Sequence, residues 1–167
     1  MHLALSGLYR ARWTARIHNE WMTALQRQRP DLSREALEWT RSRMDEAVPD
    51  CLVSGYEGLE ASLDLPDPDD RHVLAAAIHC GAGTIVTYNL KVVPDELLAQ
   101  YGIAAQHPDE FIAHAYDLDP GAVCKAVLDQ RASLKNPPKS VEELFDTYLQ
   151  QGLATTVAAL RQSAELL

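Results

Sequence analysis

Asp67, Asp69 and Asp70, with Asn89 farther along the chain, are the residues whose types and spacing best suit chemistry. Carboxylate and amide oxygens are the ligands that hard divalent cations such as Mg2+ or Mn2+ take, with waters completing the shell. A cation held there activates water as a nucleophile or clamps a phosphate. In a parallel α/β sheet, helix N-termini and strand C-termini share one edge, where open sheets place their ligands. An acidic cluster opening a helix and an Asn closing the next strand would therefore meet. The competing reading is local, because aspartates at a helix start are common caps stabilised by the helix dipole. Spacing alone leaves both readings open.

The elements that must position these residues read as follows. Pro66 and Pro68 break what precedes them, and a helix is predicted from near Asp69, apolar on every face from Val73 to Ile78. Gly81 and Gly83 stop it, and Thr84 to Tyr88 reads as a buried parallel strand that ends at Asn89. Upstream, Trp13 to Arg27 is an amphipathic helix with Ile17, Trp21, Ala24 and Leu25 inward and Glu20 at the margin of that face. Ser33 caps a second helix running toward Val48, with Leu37, Met44 and Val48 inward, and Pro49 ends it. Cys51 to Tyr56 is a short apolar strand, followed by a brief helix around Glu57 to Leu63. Downstream, Pro94 and Asp95 open a helix through Gln100, Ile103 to Gln106 is a strand, and a helix from near Pro108 turns Phe111, Ile112 and Ala115 inward. The remainder is helical: Gly121 to Leu134, then a stiff break at Asn136 to Lys139. A Ser140/Glu143 capping box opens a helix with Val141, Leu144, Phe145, Tyr148 and Leu149 on one face. Gly152 ends that helix, and a last one carries Val157, Leu160, Ala164 and Leu167. These helices either cover the core, the favoured reading, or form a contact surface for a second copy or a protein partner.

The 167 residues are 47% hydrophobic and 23% charged, ordinary for one globular unit with a real core. No apolar run approaches membrane-spanning length and no signal-peptide pattern opens the chain, so a cytoplasmic protein that does not enter membranes is expected. Cys51, Cys80 and Cys124 are widely spaced and odd in number, which predicts reduced packing residues. His72, His79, His107 and His114 match no zinc spacing. A net charge of −9 excludes a protein that coats nucleic acid electrostatically, yet the first 43 residues hold eight of the fifteen Lys and Arg against four acids. Arg10, Arg12 and Arg16 lie before or on the helix of Glu20, where they are candidate phosphate contacts or simply a solvated face.

The ordered words DPDDRHVLAAAI, IVTYNLK, YGI and HPDEF resemble PIN-domain proteins, among them toxin-type bacterial ribonucleases, over most of the chain. The resemblance implies a three-layer α/β fold with a small parallel sheet, rich in helices, and a C-terminal helical extension. It divides the chain into a PIN-like domain at 1–118 and an extension at 119–167 packed on the same domain. It implies Mg2+- or Mn2+-dependent endoribonuclease activity, an RNA substrate, and a toxin paired with an antitoxin protein; a homodimer is a further expectation. By the resemblance Asp70 is the principal metal ligand, Asp67 and Glu20 are assisting carboxylates and metal ligands, and Asn89 is a neutral ligand or water-positioning amide.

The chain departs from the family's pattern in one respect. PIN domains open with a strand that ends in an aspartate, in a word such as D-A-N or D-T-N, and no such word occurs here. Met1 to Leu8 instead reads as the tail of the helix that follows that strand, with Gly7 as its stop. Reduced activity is expected from the lost carboxylate, the alternative being an inactive PIN-like module that binds RNA or protein. The strands at Cys51–Tyr56 and Thr84–Tyr88 are expected either to pair directly or to accept a segment of another chain.

Overall fold

A computed structural model describes residues 1–91 and 94–167. The backbone divides into two compact units, one of residues 10–85 with 90–105 and one of residues 1–9 with 86–89 and 106–167. It is a helix-rich α/β structure with small parallel sheets and a helical C-terminal region.

The first unit opens with β1 (Trp13–Thr14) and α1 (Ala15–Gln28). Trp13 and Thr14 were expected in the helix, but Thr14 is extended, fully buried, and accepts the Ile17 N–H on its Oγ1 at 3.0 Å. A β-branched residue with a capping oxygen suits the position before a helix better than one inside it. After α2 (Arg34–Ala47) comes β2 (Leu52–Val53), whose residues pair in parallel with β1, Trp13 opposite Leu52 and Thr14 opposite Val53. Then follow α3 (Glu57–Glu60), a 3₁₀ turn at Pro68–Asp70, α4 (Arg71–Cys80), β3 (Thr84–Val86), α5 (Asp95–Gln100) and β4 (Ala104–Gln106). Bonds from Ala104 N to Gly83 O and from Thr87 N to Gln106 O, both 3.0 Å, advance together along β3 and β4, which makes that pair parallel as well.

The strand expectations need correction. The Cys51–Tyr56 run shortens to two residues because Gly55, at φ +81°, turns the chain toward α3. Among the described residues β2 pairs with β1 and β3 with β4, so the direct pairing expected between the second and third strands is not formed. Nor is β3 buried throughout: Ile85 is 8% exposed while Val86 is 44% exposed.

The inward face of α1 is also rotated from the expected stripe. His18 and Met22 are its buried residues, Ile17, Trp21 and Leu25 are half-buried, and Ala24 is exposed. His18 is tolerated inside because both ring nitrogens are satisfied: Trp21 Nε1 donates to Nδ1 at 2.9 Å, and Nε2 lies 2.8 Å from Asp45 Oδ1. Helix α2 does bury Leu37 and Val48, with Met44 half-buried. Helix α4 begins at Arg71, two residues later than expected, and its C-cap Gly81 adopts φ +67°, where L residues are disfavoured. Leu74 and Ala75 of α4 are fully buried in a core with Val53, Leu65, Ile85, Leu98 and Ile103.

The second unit is built around α6 (Pro108–Leu118), α7 (Pro120–Ser133), α8 (Val141–Gln150) and α9 (Ala154–Arg161). Asp119 accepts the Ala122 N–H and Pro120 fills the first turn of α7, a favourable helix start. The capping box of α8 is present, with Ser140 N donating to Glu143 at 2.8 Å and Glu143 N to Ser140 Oγ at 3.2 Å. Leu144, Phe145 and Tyr148 point into the core, whereas Leu149 is 42% exposed. Val157 and Leu160 of α9 join them, but Ala164 is exposed. At the N-terminus a 3₁₀ turn at His2–Leu5 replaces the expected helix tail, Gly7 has φ +80°, and Leu3 and Leu8 pack against this same core. Among the described residues no helix is long and apolar enough to cross a membrane.

Candidate metal centre

The start of α4 separates the two readings of the aspartates. Asp67 Oδ1 accepts the Asp69 N–H at 2.9 Å, so Asp67 is the cap of the 3₁₀ turn. Asp70 stands at the N-cap position of α4 without a capping bond, and its carboxylate has no hydrogen-bond partner among the described residues. Burial, then the charge of Asp67, then those of Glu20 and Asp69, outweigh the attraction of His72 and push the Asp70 carboxyl above its usual range. A free carboxylate among like charges at a helix start has the chemistry of a cation ligand.

Glu20 is brought to the same edge by α1. Its Oε1 lies 3.3 Å from Arg16 Nε and 3.0 Å from Nε2 of His72, which is 1% exposed. Burial first, offset in part by Glu20, lowers the His72 pKa, and its buried Nδ1 has no partner. One terminal nitrogen of Arg16 lies 3.3 Å from Glu60 Oε2. The other donates to the Asp69 carbonyl at 3.2 Å and lies 3.9 Å from the Asp69 carboxylate. Arg16, expected on phosphates, is thus engaged with three acidic residues. Neither Glu60 nor His72 was singled out from the sequence as a site residue. His72 offered a faint signal, a polar residue in the apolar helix two positions past Asp70, while Glu60 offered none.

The donor set is all oxygen, as a hard cation requires, and one of its members, Glu20, already pairs with a cationic group, Arg16. Among the described residues no three His, Cys, Asp or Glu side chains converge as a closed metal cage. Mg2+ needs no such cage, since it keeps several waters and takes one or two carboxylates. Asp70 and Glu20 offer the one or two carboxylates that an open, water-completed Mg2+ or Mn2+ site would use.

The other candidates lie elsewhere. Asn89 belongs to the second unit, where it is exposed just after β3 and its N–H donates to Thr87 Oγ1 at 3.1 Å. Arg10 and Arg12 are exposed and form no ion pair among the described residues. His79 and His114 are exposed, and His107 accepts the Asp109 N–H as the cap of α6. The three cysteines are free, Cys51 and Cys124 buried. The Asp of the HPDEF word serves the fold, since Asp109, 7% exposed, accepts the N–H groups of Thr155 at 2.8 Å and Thr156 at 2.7 Å and so caps α9.

A helix start with an uncommitted aspartate, a carboxylate from an earlier helix and short parallel strands define an α/β protein with an open acidic edge. Residues 1–91 match the family model described as PIN domain, and residues 108–162 match the one described as VapC50 C-terminal domain. The chain belongs to the PIN-domain family. It is similar to the protein named "Putative ribonuclease VapC50" of Mycobacterium tuberculosis, 39% identical over 97 residues that cover 58% of this chain and 57% of that one. The match thus spans little more than half the length of this relative. No solved structure matches the chain.

Proposed function

We propose that the chain is a Mg2+- or Mn2+-dependent endoribonuclease, the toxin of a pair whose antitoxin is a protein. The observation that carries the reading is the Asp70 carboxylate, unpartnered and set among Asp67, Asp69 and Glu20 at the start of α4. Family membership and the relative named as a ribonuclease support it. A bound cation would supply an activated water and charge neutralisation at the scissile phosphate. Asp70 is the principal ligand, and Glu20, held beside buried His72, is the assisting carboxylate. Asp67 adds negative charge while its Oδ1 fixes the turn that presents Asp70. Asn89 is assigned the neutral amide that orients a water or ligand, and Arg10 and Arg12 are assigned to RNA phosphates outside the acidic edge.

The test is cleavage of a fluorescently labelled RNA by the full chain in Mn2+ and in EDTA, run beside thermal melting. Cleavage in Mn2+ alone, lost by about 100-fold or more in Asp70→Asn, is expected from removal of a principal metal ligand. Mn2+ should raise the melting temperature of the wild type and not of the variant, because a ligand of the folded state stabilises it. A Mn2+ shift without cleavage would favour the inactive binding module. No shift and no cleavage would overturn both the site and the activity.

A further inference from the structure

The group among the carboxylates of the acidic edge is not a solvent ion but a side chain of the same unit. Arg16 reaches Glu20, Glu60 and Asp69 at once, and among the described residues it is the only Lys or Arg paired with any of the three. We propose that Arg16 is a built-in counter-ion of this edge, pairing in the metal-free protein with Glu20, a carboxylate that a divalent cation on Asp70 would also claim, so that guanidinium and metal compete for Glu20. The proposal rests on the metal-dependent reading above and says how that site is regulated.

Three features favour exchange over a permanent tie. Side-chain exposures of 40% for Arg16, 49% for Glu20 and 95% for Asp69 place the pairs with Glu20 and Asp69 in solvent, where such bridges contribute little; Glu60 is 26% exposed. The Arg16 contacts are also split among three acceptors at 3.2–3.3 Å, with no two-pronged fork on one carboxylate. Finally, a divalent cation carries twice the charge and on Glu20 would sit beside the guanidinium whose Nε faces Oε1, so the two cations would weaken each other's hold by Coulomb repulsion. Such coupling is reciprocal: if metal expels the guanidinium, removing the guanidinium must strengthen the metal by the same factor.

Calorimetric titration of Mn2+ into the full-length wild type, Arg16→Met, Arg16→Lys and Asp70→Asn tests this. Arg16→Met should tighten Mn2+ by roughly tenfold, the scale of one unit charge removed beside a divalent ion near a wet surface. Arg16→Lys keeps the charge and should stay within about threefold of the wild type. Unchanged or weaker Mn2+ binding by Arg16→Met, with binding abolished in Asp70→Asn, would overturn the counter-ion role while leaving the metal site standing. Equal binding by Asp70→Asn and wild type would remove the metal site and this inference with it. Should Arg16→Met fail to fold, the wild type still decides: Mg2+ should shift the Arg16 Nε–H resonance, assigned by its loss in Arg16→Lys. A resonance that stays put at saturating Mg2+ would overturn the proposal.

Discussion

Asp109 shows how a single side chain can serve structure where a motif suggests function. Burial favours its neutral acid, but the N–H groups of Thr156 and Thr155 and the two threonine hydroxyls more than offset this and hold the carboxyl below its usual range. Because the folded pKa is depressed below an unfolded value of about 3.9, the stabilisation is complete above roughly pH 4 and is lost as pH falls through the folded value. At pH 7, Asp109→Asn should lower stability by roughly 1–2 kcal/mol, the range for a lost cap with charge-assisted bonds. That deficit should shrink as pH falls below about 4, which urea unfolding at pH 7 and at acid pH would measure. A deficit of equal size at both would mean that the charge of Asp109 contributes nothing to capping α9. The contrast with Asp70 is physical. The Asp109 carboxylate is buried and accepts two backbone N–H groups, whereas the Asp70 carboxylate has no hydrogen-bond partner among the described residues, and a sequence of aspartates cannot distinguish them.

At the scale of elements, α1, α2 and β1 are tied by one acceptor. Asp45 Oδ1 accepts Trp13 Nε1 at 2.7 Å and lies 2.8 Å from His18 Nε2, the nitrogen that carries the proton because Trp21 donates to the other. Asp45→Ala strands a donor on a ring that is 1% exposed and a second on Trp13, so a loss of about 2–4 kcal/mol is expected in chemical denaturation. A loss below about 0.5 kcal/mol would show that water replaces Asp45 freely. This network also explains where the sequence misled. Apolar periodicity located α1, α2, α4 and α8 well, and for α4 and α8 the buried faces are mostly Leu, Ala and Phe. It failed for α1's orientation, since a histidine satisfied by Asp45 and Trp21 counts as polar in any pattern. It failed again at β1, where two residues are too few to show alternation and only the pairing with Leu52–Val53 defines the strand. Asp70 and Glu20, the proposed ligands, were named from the family motif. Glu60 was not, because its place beside Arg16 depends on how α3 packs after a turn at Gly55.

The whole molecule interleaves its two units along the chain, and that arrangement makes a definite prediction. The core of the second unit joins Leu3 and Leu8, from the first nine residues, to Val123, Leu144, Phe145, Val157 and Leu160 of the C-terminal helices. The segment 86–89, which carries Asn89, belongs to that unit as well, and Thr87 N bonds to Gln106 O. The helical region is therefore not an appendage that can be cut away. Ending the chain at residue 105 leaves Leu3, Leu8 and the end of β3 without the residues they pack and pair with. Each stranded Leu forfeits on the order of 1.5–3 kcal/mol of burial, and the exposed end of β3 adds an unpaired edge, against a total stability of roughly 5–15 kcal/mol for a typical domain. Residues 1–105 should consequently bind a hydrophobic dye, melt without a sharp transition and aggregate at concentrations where the full chain does not. Exposed β3 would aggravate this, because a short strand with Val86 already 44% exposed offers its free groups to other chains. A cooperative melt and dispersed amide spectrum from residues 1–105 would show that the first unit folds alone and that the N-terminal leucines are not needed where they pack. The acidic edge, whose Glu20, Asp67 and Asp70 all belong to the first unit, could then be assayed in the short chain.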